Sequence, residues 1–345
     1  MNTKPKLIQV LEGQMVSPPP VWMMRQAGRH LPEYLELRSR AKDFLDFCYT
    51  PSMAAEATLQ PVRRYGMDAA ILFADILLIL DAMGLGVRFE KGVGPIVQQI
   101  KQASDLAAVP PQKAADRLSP VYETVSRVKA SLPEGTALIG FAGSPWTVGL
   151  YAIEGRGKTD KSLAWRWAHG KPDELAAVLD LISEATAYYM AAQVEAGADV
   201  LMLFDSWASA VPAHFRQRVV FKPVQRIIET LRGRGIVQPV IGFPKGIGEG
   251  LLAYCDQTPV DGVGLDHGVD IAWAAKNLPD HITLQGNLDP LSLIAGGPLM
   301  HRAIDHILEA VADRPHIFNL GHGITPETPE PHVHDLMAQI QGRAS

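Results

Sequence analysis

The sequence predicts an α/β protein in which a single domain, residues 1–345, forms a (β/α)8 TIM barrel. Three observations predict this fold. Eight short apolar runs recur along the chain, longer segments with helical periodicity separate them, and no linker composition divides the chain. A length of 345 residues with 47% hydrophobic residues fits one large core. A doubly wound open sheet is the alternative that this pattern leaves open.

The eight predicted strands are apolar throughout and do not alternate with polar residues, which is typical of a parallel sheet covered on both faces. They span residues 21–24, 69–75, 137–142, 200–205, 240–243, 263–266, 282–286 and 317–321. The segments between them carry apolar residues at three- and four-residue steps, as amphipathic helices do. The order of elements therefore predicts consecutive βα units.

Composition and charge exclude several classes of partner. With 32 Lys+Arg against 37 Asp+Glu, the formal charge is −5, so an anionic ligand needs a local basic cluster, and neither nucleic acid nor an anionic membrane is an expected partner. Two cysteines, Cys48 and Cys255, are too few for a disulfide framework or a four-cysteine zinc site. The apolar stretch 69–80 contains Asp75 and is too short to span a bilayer. We expect a cytoplasmic protein.

In a (β/α)8 barrel, reactive residues lie just beyond the carboxyl ends of the strands. Polar or ionisable side chains follow five of the predicted strands: Arg25 and Arg29, Asp75, Tyr151, Ser206, and His322. This placement predicts a catalytic site at that end of the barrel, without naming the reaction.

The two arginines after the first strand, Arg25 and Arg29, are four residues apart with Gly28 between them, and Arg38 follows. Guanidinium groups hold carboxylates through paired hydrogen bonds and remain charged when water is removed. The spacing therefore indicates a pocket for a carboxylate ligand. The alternative is that these are surface arginines at the start of a helix.

Five stretches resemble the uroporphyrinogen decarboxylase family, in the family's order and at compatible spacings. They are PVWMMRQAGRHLPEY at 20–34, FADIL at 73–77, IGFAGSPWT at 139–147 with Tyr151 and Glu154-Gly155, FDSWA at 204–208 and NLGHGI at 319–324. The resemblance implies decarboxylation of the four acetate side chains of uroporphyrinogen III to methyl groups, giving coproporphyrinogen III and four CO2. It also implies a homodimer, and neither a cofactor nor a catalytic metal.

The same resemblance implies the residues of the site. Those expected to be catalytic are Asp75, Arg25, Tyr151 and His322. Those expected to bind substrate are Arg25, Gln26, Ala27, Gly28, Arg29, Arg38, Asp75, Phe141, Tyr151, Phe204, Ser206 and His322. In the family, the aspartate that matches Asp75 accepts hydrogen bonds from the pyrrole NH groups. The general acid stays open between His322 and Arg25.

Each of these side chains also has a structural interpretation. Asp75 could cap the next helix, Tyr151 could be a core residue, and His322 could be a loop histidine. Ser206 could cap the helix after its strand, with Asp205 bracing that turn. Two positions depart from the family pattern at the rim of the expected cleft, namely Arg156 and Ser209.

Two other functions are compatible with the predicted fold. A zinc-dependent corrinoid or thiol methyltransferase of the same superfamily would need a thiolate-containing metal site, but neither cysteine has a His-x-Cys spacing. The histidines His267, His322, His332 and His334 also lack the usual pairing of zinc ligands. A non-catalytic tetrapyrrole carrier on the same barrel is the second alternative.

Overall fold

The computed structural model describes residues 4–90, 92–157 and 159–342, so the ends of the predicted domain, 1–3 and 343–345, lie outside the described residues. Nine strands occur in these ranges. They are β1 (Ala69–Ile71), β2 (Val87–Glu90), β3 (Gly94–Val97), β4 (Ala137–Gly143), β5 (Val200–Asp205), β6 (Val240–Pro244), β7 (Gly262–Gly264), β8 (Thr283–Gln285) and β9 (His316–Ile317). Seven of them form a curled parallel sheet in the order β1-β4-β5-β6-β7-β8-β9, and β2 and β3 form a separate antiparallel hairpin.

Helices cover this sheet in the described ranges. They are α1 (Lys6–Leu11), α2 (Pro32–Ser39), α3 (Phe44–Tyr49), α4 (Pro51–Tyr65), α5 (Leu78–Ala82), α6 (Pro111–Asp116), α7 (Ser119–Ser131), α8 (Pro145–Glu154), α9 (Ser162–Gly170), α10 (Pro172–Glu195), α11 (Ala213–Arg216), α12 (Lys222–Gly233), α13 (Gly250–Gln257), α14 (Ile271–Asn277), α15 (Pro290–Ala295), α16 (Gly297–Ala310) and α17 (Glu330–Gln341). Short 3-10 turns lie at Ala103–Asp105 and Ala208–Ala210, and a π-helical turn lies at Gln217–Phe221.

Two strands near the middle of the sheet are buried along their whole length. Every residue of β4 and β6 is buried, in agreement with the predicted parallel sheet covered on both faces. In the parallel pairing of these strands with β5, Ile139 of β4 lies beside Val200 of β5, and Leu201 of β5 lies beside Val240 of β6. The carboxyl ends of these strands therefore reach the same edge of the sheet, and the loops that follow them are neighbours.

The segment around Val21 lies between the two outer strands of the sheet. Val21 forms an isolated parallel bridge with Phe318, just beyond β9, and its carbonyl accepts the N–H of Asp68, just before β1. The N–H of Val21 is bound by the Asp68 carboxylate at 2.9 Å. The predicted first strand, 21–24, is thus a single bridge instead of a regular strand.

Side chains explain why this segment does not continue as a strand. The N–H of Met23 donates to Gln26 Oε1, and the N–H of Met24 donates to Asn319 Oδ1, both at 3.0 Å. A backbone N–H that a side chain satisfies is not free to extend a ladder with the neighbouring strand. The segment is nevertheless tied to β1, because Gln26 Nε2 donates to the Ala69 carbonyl.

Four other predicted strands are shorter than expected. Of the runs 263–266 and 282–286, β7 covers only 263–264 and β8 only 283–285. The run 69–75 is a strand only to Ile71, because the N–H of Phe73 donates to the Thr58 hydroxyl instead of to β4. The run 317–321 is a strand only to Ile317, although Leu320 makes a further bridge to Leu288. The candidate site residues Asp75 and His322 lie beyond the paired residues of these two strands.

One helix, α10, is long and apolar enough to cross a membrane by length and composition alone. Most of it is buried in the fold, where it packs against α6 and α12. A buried apolar helix is an ordinary core element of an α/β protein, because it covers one face of the sheet.

Candidate active site

Asp75 lies in the loop after β1, where its side chain is partly exposed. Its Oδ1 accepts the N–H of Leu77, the residue just before α5, at 2.8 Å. Asp75 itself lies three residues before α5 and is not its N-cap residue, so it braces the loop. Its Oδ2 has no hydrogen-bond partner among the described residues. Burial raises the pKa of Asp75 to about 6, and the Leu77 N–H and the nearby Arg25 only partly oppose that rise. One oxygen of this carboxylate is therefore available to a ligand.

Arg25 is held beside this carboxylate by its backbone and by a glycine. Its φ of 60° lies in the left-handed region, which only a few per cent of non-glycine residues occupy. A Cβ on Gly323 would lie 2.4 Å from Arg25 Cδ, so the guanidinium stem occupies the space that a side chain there would fill. The N–H of Ile324 also donates to the Met24 carbonyl, which ties the loop after β9 to this segment. The strained backbone aims the arginine toward the carboxyl ends of the strands.

Three predicted ligand-binding arginines have no carboxylate within 4 Å among the described residues: Arg25, Arg29 and Arg38. Other arginines in the N-terminal part of the chain do form ion pairs: Arg40 pairs with Glu36, and Arg64 pairs with Glu33. Arg25 and Arg29 are exposed, whereas Arg38 is half-buried with its guanidinium 5.9 Å from the Phe44 ring. Unpaired guanidinium groups grouped at one edge of a sheet are suited to bind an anion.

The other three residues of the predicted arginine segment lie close to these cations. The Gln26 side chain is buried and turned into the fold, whereas Ala27 and Gly28 are half-exposed. A Cβ on Gly28 would lie 2.9 Å from the Arg25 carbonyl oxygen, so this turn has no room for a larger residue. A contact of Gln26 with a ligand would therefore involve its backbone.

Tyr151 lies on α8 and is partly buried near Asp75 and Arg25. Burial is the main cause that raises the pKa of Tyr151, its contact with the Trp207 side chain lowers it, and the Asp75 carboxylate raises it further. A Cβ on Gly157 would lie 2.6 Å from Tyr151 Oη, so the loop after α8 passes directly over the phenol. The hydroxyl keeps its proton at neutral pH and can donate it in a hydrogen bond.

Two aromatic residues of the predicted site come from neighbouring strands. The rings of Phe141 in β4 and Phe204 in β5 are 5.5 Å apart at 83°, and Phe243 in β6 lies 6.1 Å from Phe204. Phe204 is partly exposed at the end of its strand. Edge-to-face rings of this kind form a stiff apolar wall on which a flat ligand can pack.

Ser206 follows β5 and is half-buried, with its turn braced from behind. The buried Asp205 accepts the Thr147 hydroxyl at 2.5 Å, and Thr147 Oγ1 in turn accepts the N–H of Trp207. This matches the bracing role expected for Asp205. Burial raises the pKa of Asp205 to about 7, more than the bonds to Thr147 lower it.

His322 lies in the loop after β9 and is half-buried between Gly321 and Gly323. A Cβ on Gly321 would lie 2.2 Å from the backbone nitrogen of His267, so the loop can pass there only with glycine. Burial lowers the pKa of His322 to about 4, and the charges of Lys245 and Arg25 act in the same direction. The ring is therefore neutral at pH 7 before substrate binds. A neutral imidazole is suited to form hydrogen bonds with the substrate, and it is not a general acid in the empty site.

The sequence interpretation missed Lys245, which follows β6 directly and is half-buried. The rule that drew attention to Asp75 and Ser206, a polar residue just after an apolar strand, applies to this lysine equally. Its charge acts on His322, which places the two side chains in the same electrostatic neighbourhood.

Two of the histidines considered for zinc, His332 and His334, are held by contacts elsewhere, whereas His267 lies near His322. His332 Nδ1 is hydrogen-bonded to the Leu293 carbonyl, and His334 packs against the Tyr65 ring, both on α17. In the ranges that the structure describes, no three His, Cys, Asp or Glu side chains form a group suited to a metal ion.

The two departures from the family pattern lie at the rim. A Cβ on Gly246 would lie 2.7 Å from Ser209 Cβ, so this serine packs against the turn that contains Lys245. Arg156 is exposed, and its backbone bridges Ile96 of the β2–β3 hairpin.

Comparison with known families explains this collection of side chains. The family model described as uroporphyrinogen decarboxylase (URO-D) matches residues 2–342. The chain belongs to the uroporphyrinogen decarboxylase family. It is 64% identical to the uroporphyrinogen decarboxylase of Hyphomonas neptunium over 97% of this chain and 98% of that one. It is 48% identical to that of Rhodospirillum rubrum over 99% and 98% of the two chains. Members of this family are decarboxylases.

Solved structures show how widely the fold is shared. A methyltransferase from Methanosarcina mazei superposes with a TM-score of 0.80 over 99% of this chain and 98% of that chain, at 20% sequence identity. A putative vitamin-B12-independent methionine synthase from Listeria monocytogenes superposes with a TM-score of 0.57 over 95% and 99%, at 12% identity. These similarities concern the fold alone, and the family assignment rests on the sequence matches.

Proposed function

We propose that this chain decarboxylates the four acetate side chains of uroporphyrinogen III, giving coproporphyrinogen III and four CO2. The observation that carries the proposal is a carboxylate with one free oxygen, Asp75, near the guanidinium of Arg25. Arg25, Arg29 and Arg38 have no carboxylate partner among the described residues. A tetrapyrrole with eight carboxylates around a ring of NH groups needs both kinds of partner. Cations bind its rim, and an anion binds its centre. The family matches over nearly the whole chain support the same substrate.

When CO2 leaves, the electron pair of the broken C–C bond stays on the methylene carbon, and the reaction needs an electron sink for that pair. A pyrrole supplies one, because protonation at a ring carbon makes an electron-poor, iminium-like ring that accepts the electron pair. A second proton, delivered to the methylene carbon, then leaves a methyl group. The protein must therefore hold the carboxylates, stabilise a transient cation and transfer protons.

Each predicted site residue has a part in this chemistry. Asp75 accepts the inner NH groups and stabilises the cation in a site with little water, an effect that is worth several kcal/mol when the charge is preorganised. Arg25, Arg29 and Arg38 hold peripheral carboxylates. Tyr151 donates a hydrogen bond to a reacting or peripheral carboxylate.

The remaining site residues orient the macrocycle. Ser206 and the neutral ring of His322 offer hydrogen bonds to acetate or propionate groups, and Phe141 and Phe204 pack on the flat faces of the pyrroles. Because His322 is neutral in the empty site, Arg25 stays a candidate proton donor, although a guanidinium with a pKa near ~13 is a weak acid.

The proposal extends to the architecture. The segment at Val21 closes the sheet as an eighth strand position, and its hydrogen bonds to the Phe318 and Asp68 backbones support closure. We take residues 1–345 as one (β/α)8 domain. The family resemblance supports a cytoplasmic homodimer that acts on a small molecule without a cofactor or metal and without nucleic-acid or membrane partners.

A zinc-dependent methyltransferase of related fold is the alternative to compare, since one structural neighbour is named a methyltransferase. Such chemistry requires a thiolate ligand, but Cys48 and Cys255 are both buried within helices. Burial raises the pKa of both thiols, that of Cys255 to about 12, so the protonated form is favoured. This observation favours the decarboxylase.

A turnover assay tests the proposal. The purified protein is incubated anaerobically with uroporphyrinogen III, and the products are oxidised and separated by chromatography. We expect loss of carboxylates in steps down to the four-carboxylate product. Binding of uroporphyrinogen without any turnover would instead identify a tetrapyrrole carrier, and no binding would refute both functions.

A further inference from the structure

We infer that Lys245 is a further substrate-binding residue, which holds a carboxylate of the tetrapyrrole on the wall of the cleft opposite Arg25 and Arg29. This inference rests on the proposed function, because it assumes a ligand with carboxylates around its whole rim. It adds a cation to a side of the cleft where the predicted site had none.

The order of the strands places this lysine across the cleft. Lys245 follows β6, the fourth of the seven strands in the sheet order, and two strands lie between β6 and each outer strand. The Val21 segment, which leads to Arg25 and Arg29, bonds to the backbone beside both outer strands. The lysine and the two arginines are therefore as far apart around the sheet as the topology permits.

Contacts between loops hold Lys245 at the mouth of the cleft. Its backbone N–H donates to the Asp205 carbonyl at 3.2 Å, one residue before Ser206. The next residue, Gly246, donates its N–H to Asp266 Oδ2 at 2.8 Å. The lysine thus begins a turn that is bound to the loops after β5 and β7, and both lie at the edge where the substrate is expected.

A continuous line of contacts then leads to His322. His267, next to Asp266, lies against Gly321, whose added Cβ would meet the His267 backbone at 2.2 Å. On the other side of His322, Gly323 lies against the aliphatic part of the Arg25 side chain. The order around the rim is Ser206, Lys245, His267, His322 and Arg25. Lys245 therefore lies between Ser206 and His322, which are both expected to contact substrate.

The ammonium of Lys245 has no partner that would neutralise it in the part of the chain that the structure describes. No carboxylate lies within 4 Å of Nζ there, and the two oxygens of the neighbouring Asp266 accept the N–H groups of Gly246 and Gly268. The side chain is half-buried, so its charge is partly shielded from water. A partly desolvated cation without a counter-ion is stabilised when an anion binds.

The geometry also explains why two walls need cations. The carboxylates of a tetrapyrrole project outward in all directions, so arginines on one wall cannot reach those on the far side of the ring. A lysine, as a compact charge on a flexible stem, can adjust its position to keep hold of one carboxylate while another side chain of the ring is decarboxylated.

Steady-state kinetics with uroporphyrinogen III test this inference. Lys245→Met removes the charge and keeps much of the apolar stem, and we expect KM to rise about 10-fold, the scale of one charged hydrogen bond, with little change in kcat. The thermal midpoint should stay within a few degrees of that of the parent protein. Lys245→Arg, which keeps the charge, should recover most of the binding. Lys276→Met, an exposed lysine on α14, is the matched control and should leave KM unchanged.

The outcomes separate this inference from the function on which it rests. If the parent protein does not turn over uroporphyrinogen, the proposed function fails. If the parent turns over the substrate and Lys245→Met has the same KM, Lys245 does not bind substrate and only the inference is overturned. Should Lys245→Met fold poorly, the KM of Lys245→Gln for uroporphyrinogen III gives the same decision. An unchanged KM in the Gln variant refutes the inference, and a raised one supports it.

Discussion

At the scale of single residues, the site depends on charges that the protein itself leaves unbalanced. Asp75 keeps one oxygen free and has a pKa of about 6, well above that of an exposed aspartate, because burial disfavours its charged form. Arg25 supplies a positive charge near it without forming an ion pair. Charges held apart in this way are ready for a substrate that brings the opposite charges.

Replacing the carboxylate tests its electrostatic role. Asp75→Asn keeps the shape and the hydrogen bond to Leu77 but removes the charge that stabilises the cationic intermediate. We expect substrate binding to fall modestly and kcat to fall by at least ~10²-fold, the scale of one preorganised electrostatic group. Single-turnover measurements separate the two effects, and near-normal turnover would contradict the assignment.

The pH dependence of activity should follow Asp75. A carboxyl group with a raised pKa of about 6 becomes protonated as the pH falls through that value, so kcat/KM should decline below pH 6. His322, with its pKa lowered to about 4, stays neutral over this range and does not cause the decline. A His322→Gln variant should therefore keep the same acidic limb, whereas Asp75→Asn should lose it. A limb that disappears only in His322→Gln would assign the titration to the histidine.

The arginines should act through geometry as well as charge. Arg29→Lys preserves the charge but replaces a planar fork that holds a carboxylate through two hydrogen bonds. We expect weaker substrate binding, seen as a higher KM, with little change in thermal stability because Arg29 is exposed and unpaired. The loss shrinks for intermediates with fewer acetates if Arg29 binds an acetate, and stays constant if it binds a propionate. A large drop in melting temperature with unchanged binding would return Arg29 to a structural role.

At the scale of elements, the loops after the strands set the positions of these residues. The two glycines around His322 serve different neighbours, since Gly321 lies against backbone and Gly323 against the flexible stem of Arg25. A flexible side chain can move aside at little energetic cost, whereas backbone cannot. The same substitution should therefore have different consequences at the two positions.

Gly323→Ala should displace Arg25 and lower kcat/KM, with only a small effect on the melting temperature. Gly321→Ala should instead reduce the free energy of unfolding, because its Cβ would press on the His267 backbone at 2.2 Å. Gly86→Ala is the control, since no atom lies within 4 Å of the added Cβ and its φ is ordinary. Thermal melts and kinetics on the three variants check this, and equal effects at 321 and 323 would contradict it.

The hydrophobic pattern of the sequence predicted the strands well where packing alone decides where a strand begins and ends. The predicted strand 200–205 coincides with β5, and β4 and β6 extend one residue beyond their predicted ends. The pattern failed at residues 21–24, where side chains take the backbone N–H groups. It also missed the β2–β3 hairpin, whose strands are only four residues long and partly exposed, although β2 alternates apolar and polar residues.

At the scale of the whole molecule, we predict that activity needs neither a metal nor a cofactor, because the pyrrole of the substrate serves as its own electron sink. After exhaustive dialysis against a chelator, we expect unchanged turnover of uroporphyrinogen and no visible absorbance from a bound chromophore. The oxidised, flat porphyrin should not react, because it has no easily protonated pyrrole carbon and its NH groups cannot bend toward Asp75. Activity that vanished on chelation and returned with zinc would favour the methyltransferase alternative.

The sequence by itself determined the class of fold, the order of its elements and most of the residues at the strand ends. That information is local, because periodicity and a polar residue after an apolar run can be seen within about ten positions. The resemblance of five short stretches then named the family, and the full-length matches confirmed it.

The tertiary structure alone decided how those residues act. The Met24 N–H is bound by Asn319, 295 positions away, and the stem of Arg25 lies against Gly323, so neither contact can be seen in a local pattern. The same holds for the pKa values of Asp75 and His322, which move in opposite directions because burial disfavours the charged form of each. Burial depends on atoms that many distant segments contribute, and only folding brings them together.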